Sequence, residues 1–165
     1  MKHVKKSLIL FAALILQNVF GGHIAVLGIK PSLFLVITVI FSLNSDDVWE
    51  ALIYGVATGF VYDVFWGRVF GGMTVLMMYI AVAIYYAGEY LYKKTVTEAA
   101  AITFIGTLII EALFYGVNFA LFGDKSFLYA LLRIIIPTAA YNSIVTALIY
   151  QRLSKVFDKK RGEGA

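Results

Sequence analysis

The chain has no cysteine, and it has little histidine, proline or charge. None of its 165 residues is a cysteine, so disulfides and thiolate metal ligands are excluded. The two histidines, His3 and His23, do not have the spacing of metal ligands. Sequence motifs for nucleotide phosphates, zinc hydrolysis and serine nucleophiles are also missing. We therefore expect no enzymatic activity, no cofactor and no metal site.

Apolar side chains dominate what is present. Hydrophobic residues make up 61% of the chain and the mean hydropathy is +0.85, whereas soluble domains average about 45–50% apolar residues. The net charge is +4, but the basic residues cluster at the ends of apolar segments. This pattern indicates a bilayer surface and no nucleic acid. The composition predicts an all-α membrane protein.

Six apolar segments divide the chain, and short loops connect them. About 20 apolar residues cross a bilayer, so the second segment is short, with about 13 residues that rise about 20 Å. Pro137 is expected to kink or split the sixth segment. We predict one compact six-helix transmembrane domain over residues 1–157 and a flexible cytoplasmic tail over residues 158–165. The segments are 7–28, 31–43, 48–66, 70–92, 96–122 and 127–157.

Lysine and arginine predict the orientation of this bundle. If the N-terminus is cytoplasmic, far more basic residues lie inside than outside, so both termini are expected in the cytoplasm. The loop at 44–50 departs from the pattern, because it is acidic and has no basic residue. The inside residues are Lys2, Lys5, Lys6, Lys93, Lys94, Arg152, Lys155, Lys159, Lys160 and Arg161, and the outside residues are Lys30, Arg68 and Lys125.

A glycine stripe on the third segment carries a carboxylate. Gly55, Gly59, Asp63 and Gly67 are each four residues apart, so they share one helix face. A charge at membrane depth costs about 2.5–3.5 kcal/mol on insertion scales, and glycines let another helix approach closely. We interpret the stripe as a helix-packing face or a partner interface. Asp63 is expected either to be solvated near the outer end of its helix or to pair with Arg133.

Further polar residues lie within the fifth and sixth segments. Two interpretations remain open for them. Either they hydrogen-bond between helices, as is expected of Gln17 and Asn18 in the first segment, or they line an outward pocket. A proton relay through Asp63 and Glu111 is a third hypothesis. The candidate cluster consists of Asp63, Glu111, Asn118, Arg133, Pro137, Tyr141 and Asn142.

Three local patterns occur together in a fixed order. Leu16-Gln17 precedes Lys30-Pro31-Ser32-Leu33, Gly55 and Gly59-Phe60 precede Asp63 and Gly71-Gly72, and Pro137-Thr-Ala-Ala-Tyr141-Asn142 precedes Tyr150-Gln-Arg152. Over essentially the whole chain this arrangement resembles the bacterial rod shape-determining protein family MreD. The family typically has aspartate where this chain has Ser32.

The resemblance implies a non-enzymatic scaffold subunit of the rod (elongation) complex in the bacterial inner membrane. Such proteins associate with MreC and, through the complex, with MreB, RodA and the elongation penicillin-binding transpeptidase, and they help regulate lateral peptidoglycan synthesis and cell shape. The family is similar in architecture to energy-coupling-factor S components. A small-solute-binding protein of that type is therefore the alternative. The residues expected at a packing or partner interface are Pro31, Gly55, Gly59 and Asp63.

Overall fold

All of the secondary structure that is described is helical. The computed structural model describes residues 2–20, 31–67, 70–91, 95–122 and 127–158. The last helical stretch is continuous, because α6 passes through a π-helical turn into α7. The elements are α1 Lys2–Phe20, α2 Leu33–Leu43, α3 Val48–Trp66, α4 Gly72–Tyr90, α5 Val96–Phe122, α6 Phe127–Ala130, the π-helical turn Leu131–Ile135 and α7 Ile136–Asp158.

Helix length divides these elements into two groups. Four stretches are long and apolar enough to cross a membrane, namely Val48–Trp66, Gly72–Tyr90, Val96–Val117 and Leu131–Ser154. The apolar part of α1 and the whole of α2 are shorter. The prediction of a short second helix is confirmed, since its 11 residues rise about 16 Å against a hydrocarbon core of about 30 Å.

The short helix α2 lies at the centre of the protein. All ten residues from 34 to 43 are buried, and α1, α3, α4, α5 and α7 all pack against it. A helix that is apolar on every side is expected in such a position. Because the surrounding helices are longer, both ends of α2 lie inside the protein. The backbone groups left open at those ends need partners from other helices.

Helices α3 and α4 form the closest pair. A Cβ atom on Gly55 would lie 2.6 Å from the Ala81 Cβ, and one on Gly59 would lie 2.5 Å from the Thr74 Cα. The two backbones are therefore in direct contact along the glycine stripe. Gly71, with φ of +89°, allows the sharp entry into α4. The stripe is a packing face, and α4 of the same chain covers it.

The sixth segment loses regular α geometry directly before Pro137. In the π-helical turn the Ile136 N–H donates to the Leu131 carbonyl, five residues back. A proline ring collides with the carbonyl four residues earlier in an α-helix, and a wider turn relieves that collision. The Thr138 hydroxyl donates to the Ile134 carbonyl over 2.6 Å. The predicted irregularity is thus observed, as a widened turn within one continuous helix.

Candidate functional site: polar caps at buried helix ends

Side chains from α1 and α7 cap the N-terminus of α2. The Gln17 amide donates to the Pro31 carbonyl over 3.0 Å and accepts from the Leu33 N–H over 3.1 Å. The Ser32 N–H donates to the Asn142 Oδ1 over 2.8 Å. The first N–H groups of a helix have no partner within the helix. Here the amide side chains of Gln17 and Asn142, which belong to other helices, accept hydrogen bonds from two of these N–H groups.

Asn142 also connects this end of α2 to α5. It is fully buried, and its Nδ2 donates to the Thr107 hydroxyl over 3.4 Å, which in turn donates to the Thr103 carbonyl over 2.7 Å. Ser32, the residue that departs from the family pattern, occupies the N-cap position without a side-chain cap. Among the described residues its buried hydroxyl has no hydrogen-bond partner. The N-terminus of α2 is therefore capped by Asn142 and Gln17 from other helices and not by the side chain of its own N-cap residue.

The C-terminus of α2 is capped by the loop that follows it. The Asn44 side chain donates to the Ile40 carbonyl over 2.8 Å, and the Ser45 hydroxyl donates to the Phe41 carbonyl over 2.7 Å. These bonds satisfy carbonyls that the helix itself leaves open. The loop is thus held against the bundle just before α3 begins.

A buried ion pair joins the starts of α1 and α3. The Lys6 ammonium lies 2.8 Å from the Glu50 carboxylate, and the two side chains are 0% and 8% exposed. The same ammonium lies 4.8 Å from the centroid of the Tyr54 ring and 5.5 Å from that of Phe41, close enough for cation–π attraction. This pair gives the acidic loop at 44–50 a basic partner from another helix.

Sequence reasoning missed this ion pair, because it treated Lys6 only as a topology charge. One signal was available. Asp47 and Glu50 have the spacing of a capping box, and in the structure Asp47 is the N-cap of α3 and accepts from the Glu50 N–H over 2.6 Å. The Glu50 carboxylate also accepts from the Asp46 N–H over 2.8 Å. That spacing predicts a carboxylate held at the helix start, although not its distant partner.

Asp63 caps the N-terminus of α4 from the neighbouring helix. Its carboxylate accepts from the Met73 N–H over 3.1 Å, and from the Thr74 N–H and hydroxyl over 2.8 and 2.6 Å. The positive end of a helix dipole stabilises an anion in this position. Asp63 is only 3% exposed, so the expectation that it is solvated was wrong.

The hypothesis that Asp63 pairs with Arg133 was also wrong. Both residues are described, and no salt bridge joins them. Arg133 is exposed, and its guanidinium lies 5.8 Å from the centroid of the Tyr129 ring. The depth argument failed because Asp63 bonds to backbone groups ten and eleven residues further along the chain, which already satisfy its oxygens.

The remaining polar candidates lie on α5 and α7. Glu111 is partly buried in α5, whereas Asn142 bonds at the N-terminus of α2. Tyr141 is partly buried beside Asn142 in α7, and Pro137 follows the π-helical turn. The Asn118 side chain lies outside the described residues. Asp63 and Asn142, the two most buried members, each hold the end of a different helix.

Replacing Asp63 tests its role as a cap. We expect Asp63→Ala to lower the free energy of unfolding by about 2 kcal/mol, since the N–H groups at the start of α4 then lack an acceptor. Asp63→Asn keeps one acceptor oxygen and is expected to cost about 1 kcal/mol. Thermal unfolding in mild detergent measures both. Equal losses for the two variants would contradict a capping role.

Asn142 gives a matching test at the end of α2. Asn142→Ala is expected to cost about 1–2 kcal/mol, because it leaves the Ser32 N–H buried without an acceptor. The control is Thr146→Val on the same helix, since within the described part of the chain the Thr146 hydroxyl bonds to its own helix alone, at the Asn142 carbonyl. The same unfolding assay should separate the two variants, and an equal effect would contradict the capping of α2 by Asn142.

These contacts define a class of protein. Long apolar helices surround a short buried one, and the buried amides and carboxylates bind backbone groups of neighbouring helices. Such an arrangement is typical of an integral membrane protein whose intramembrane polar groups hold the helices together.

Comparison with known proteins identifies the family. Residues 4–160 match the family described as rod shape-determining protein MreD. The chain therefore belongs to the MreD family, whose members determine cell shape. No curated protein and no solved structure matches the chain. Several residues on which the resemblance rests, including Gln17, Asp63 and Asn142, are those that cap the buried helix ends.

Proposed function

We propose that the protein is a non-enzymatic scaffold subunit of the rod (elongation) complex in the bacterial inner membrane. Its direct partner would be MreC. Through the complex it would act with MreB, RodA and the elongation penicillin-binding transpeptidase on lateral peptidoglycan synthesis. The membership in the MreD family supports the role in cell shape, and the finer assignments are our proposal.

The observation that best supports a scaffold is the use made of the buried polar groups. Asp63, Gln17 and Asn142 bind backbone groups of other helices, and Lys6 binds Glu50. A solute-binding bundle needs several such groups to converge on one cavity. Here each of them makes a contact between helices, and this use of the polar groups supports a scaffold.

The proposed topology has six membrane-crossing segments and both termini in the cytoplasm. Antiparallel neighbours follow from the short loops, and the Lys6–Glu50 contact joins the start of α1 to the start of α3. This contact is consistent with both helices entering the membrane from the same side. In this arrangement α2 crosses as a short helix inside the protein, and the capped ends replace the contacts that water makes at the ends of a longer helix.

Co-purification with MreC tests this function. MreC co-expressed with the tagged chain is expected to be retained in mild detergent, and the chain is expected to restore rod shape to cells depleted of their own MreD. Gly116→Ala serves as a control variant that should behave like the wild-type chain. A Cβ on Gly116 would have no neighbour within 4 Å among the described residues outside its own stretch of helix. Recovery of an ATPase module and a retained small solute, without MreC, would contradict the scaffold and favour the transporter alternative.

A further inference from the structure

Arg133 is a charged residue on an apolar surface that faces away from the protein. It belongs to the π-helical turn Leu131–Ile135, near the start of the stretch Leu131–Ser154, which is long and apolar enough to cross a membrane. Arg133 is exposed, and its neighbours Leu132 and Ile136 are 59% and 38% exposed. A guanidinium on a surface that faces lipid needs an anion or water to stabilise its charge.

No counter-charge for Arg133 comes from the part of the chain that the structure describes. The other charged groups inside the bundle are satisfied there, since Lys6 pairs with Glu50 and Asp63 accepts from backbone N–H groups. Among the described residues, no carboxylate lies within salt-bridge distance of Arg133. Its positive charge is therefore directed at something beyond these helices.

Tyr129 shows in which direction the arginine points. It precedes Arg133 by one helical turn and is 49% exposed. The guanidinium lies 5.8 Å from the centroid of its ring, close enough for cation–π attraction. The arginine side chain thus reaches back towards the start of the helical stretch at Phe127 and the nearer membrane surface, as long cationic side chains do at helix ends.

The depth and the surroundings of this pair fit the phosphate of a lipid. Arg133 follows the start of the stretch at Phe127 by a rise of about 9 Å, so its guanidinium can reach the headgroups. A guanidinium can hold two phosphate oxygens at once, and the Tyr129 hydroxyl is a further donor. The exposed side chains of Leu132 and Ile136 beside them suit acyl chains, which a free phosphate ion does not have.

We infer that Arg133 and Tyr129 bind the phosphate of a membrane lipid whose acyl chains cover Leu132 and Ile136. In the proposed topology this lipid belongs to the outer leaflet. The inference goes beyond the scaffold function, because it assigns the protein a lipid-binding site, and the binding of phosphate does not depend on that function.

Native mass spectrometry of the full chain in detergent, titrated with phosphatidylglycerol, tests the site. Arg133→Gln is expected to weaken lipid binding about tenfold, which corresponds to about 1.4 kcal/mol. The matched control is Arg152→Gln, which removes an exposed arginine from the other end of the same helix and should change binding less than about twofold. Thermal unfolding checks that both variants are folded.

Two further variants separate a shaped site from a simple charge. Arg133→Lys keeps the charge but loses the planar fork, and we expect binding about threefold weaker than in the wild-type chain. Tyr129→Leu removes the ring under the guanidinium and should also weaken binding about threefold. Unchanged affinity in both variants would overturn the site, even if Arg133→Gln could not be purified in a folded state.

The remaining outcomes identify what else the arginine could bind. Equal losses for Arg133→Gln and Arg152→Gln would mean that lipid is attracted by net charge alone, and would overturn the site. Displacement of the lipid by millimolar inorganic phosphate would assign the site to a free anion, against the inference. Loss of MreC co-purification from Arg133→Gln, with unchanged lipid binding, would assign the arginine to a protein contact and overturn the inference as well.

Discussion

Gly59→Leu is expected to prevent α3 and α4 from packing, and to cost about 3 kcal/mol or more in the free energy of unfolding. Even a Cβ at this position would lie 2.5 Å from the Thr74 Cα and 2.8 Å from the Met73 carbonyl oxygen. Both are backbone atoms, so no side-chain rotation can relieve the collision. The helices must separate, and the bonds from Met73 and Thr74 to Asp63 are then lost as well.

A graded series makes this expectation testable. Gly59→Ala should already cost about 1–3 kcal/mol, whereas Gly116→Ala on α5 should be nearly neutral, because among the described residues no atom beyond its own stretch of helix lies within 4 Å of the added Cβ. The measurements are the folded yield in mild detergent and the midpoint of thermal unfolding. A folded Gly59→Leu variant with an unchanged midpoint would contradict the observed contact.

The Gly59 result also affects how partner binding is tested. The sequence suggests Gly59→Leu as a probe of a partner interface. In the structure α4 covers that face, so loss of MreC from this variant would report a damaged fold.

The second large effect is expected from breaking the Lys6–Glu50 pair. Glu50→Gln keeps a side chain that can accept from the Asp46 N–H, but it leaves a buried ammonium without its counter-charge. Removal of one partner of a buried ion pair costs about 3–5 kcal/mol. We expect about 3 kcal/mol here, because Lys6 lies near the start of α1 and can turn towards water.

A double-mutant cycle isolates the interaction between the two charges. Lys6→Met with Glu50→Gln removes both charges, and it should recover about 2 kcal/mol of the loss, since no uncompensated charge remains buried. Glu89→Gln on α4 removes an exposed carboxylate and should change the unfolding midpoint little. Additive losses for the double variant would mean that the two side chains do not interact.

The capping contacts give a physical meaning to the sequence pattern of the family. The Gln17 amide and the proline at position 31 meet at the N-terminus of α2, and Asn142 reaches the same place from α7. Asp63 and the glycine at position 71 together begin α4. These residues cap or initiate the helices α2 and α4. They are therefore needed for the architecture itself.

Sequence reasoning predicted the helices well, and the contacts of the polar residues less well. Hydropathy and charge located α3 to the residue, and Pro137 marked the widened turn, because these signals are local. The surroundings of Asp63 were predicted wrongly. Its carboxylate binds N–H groups at the start of α4, and the position of that helix end relative to α3 is set by tertiary packing. The Lys6–Glu50 pair went unseen for the same reason, as 44 residues separate its members.

The sequence by itself determined that this is a helical membrane protein of the MreD family, where its helices lie, and that one glycine face packs closely. Only the tertiary structure decided that α4 covers that face and that Gln17 and Asn142 cap a buried helix. The reason is the range of the interactions. Hydropathy and helical period act within a few residues, whereas Ser32 and Asn142 meet across 110 positions.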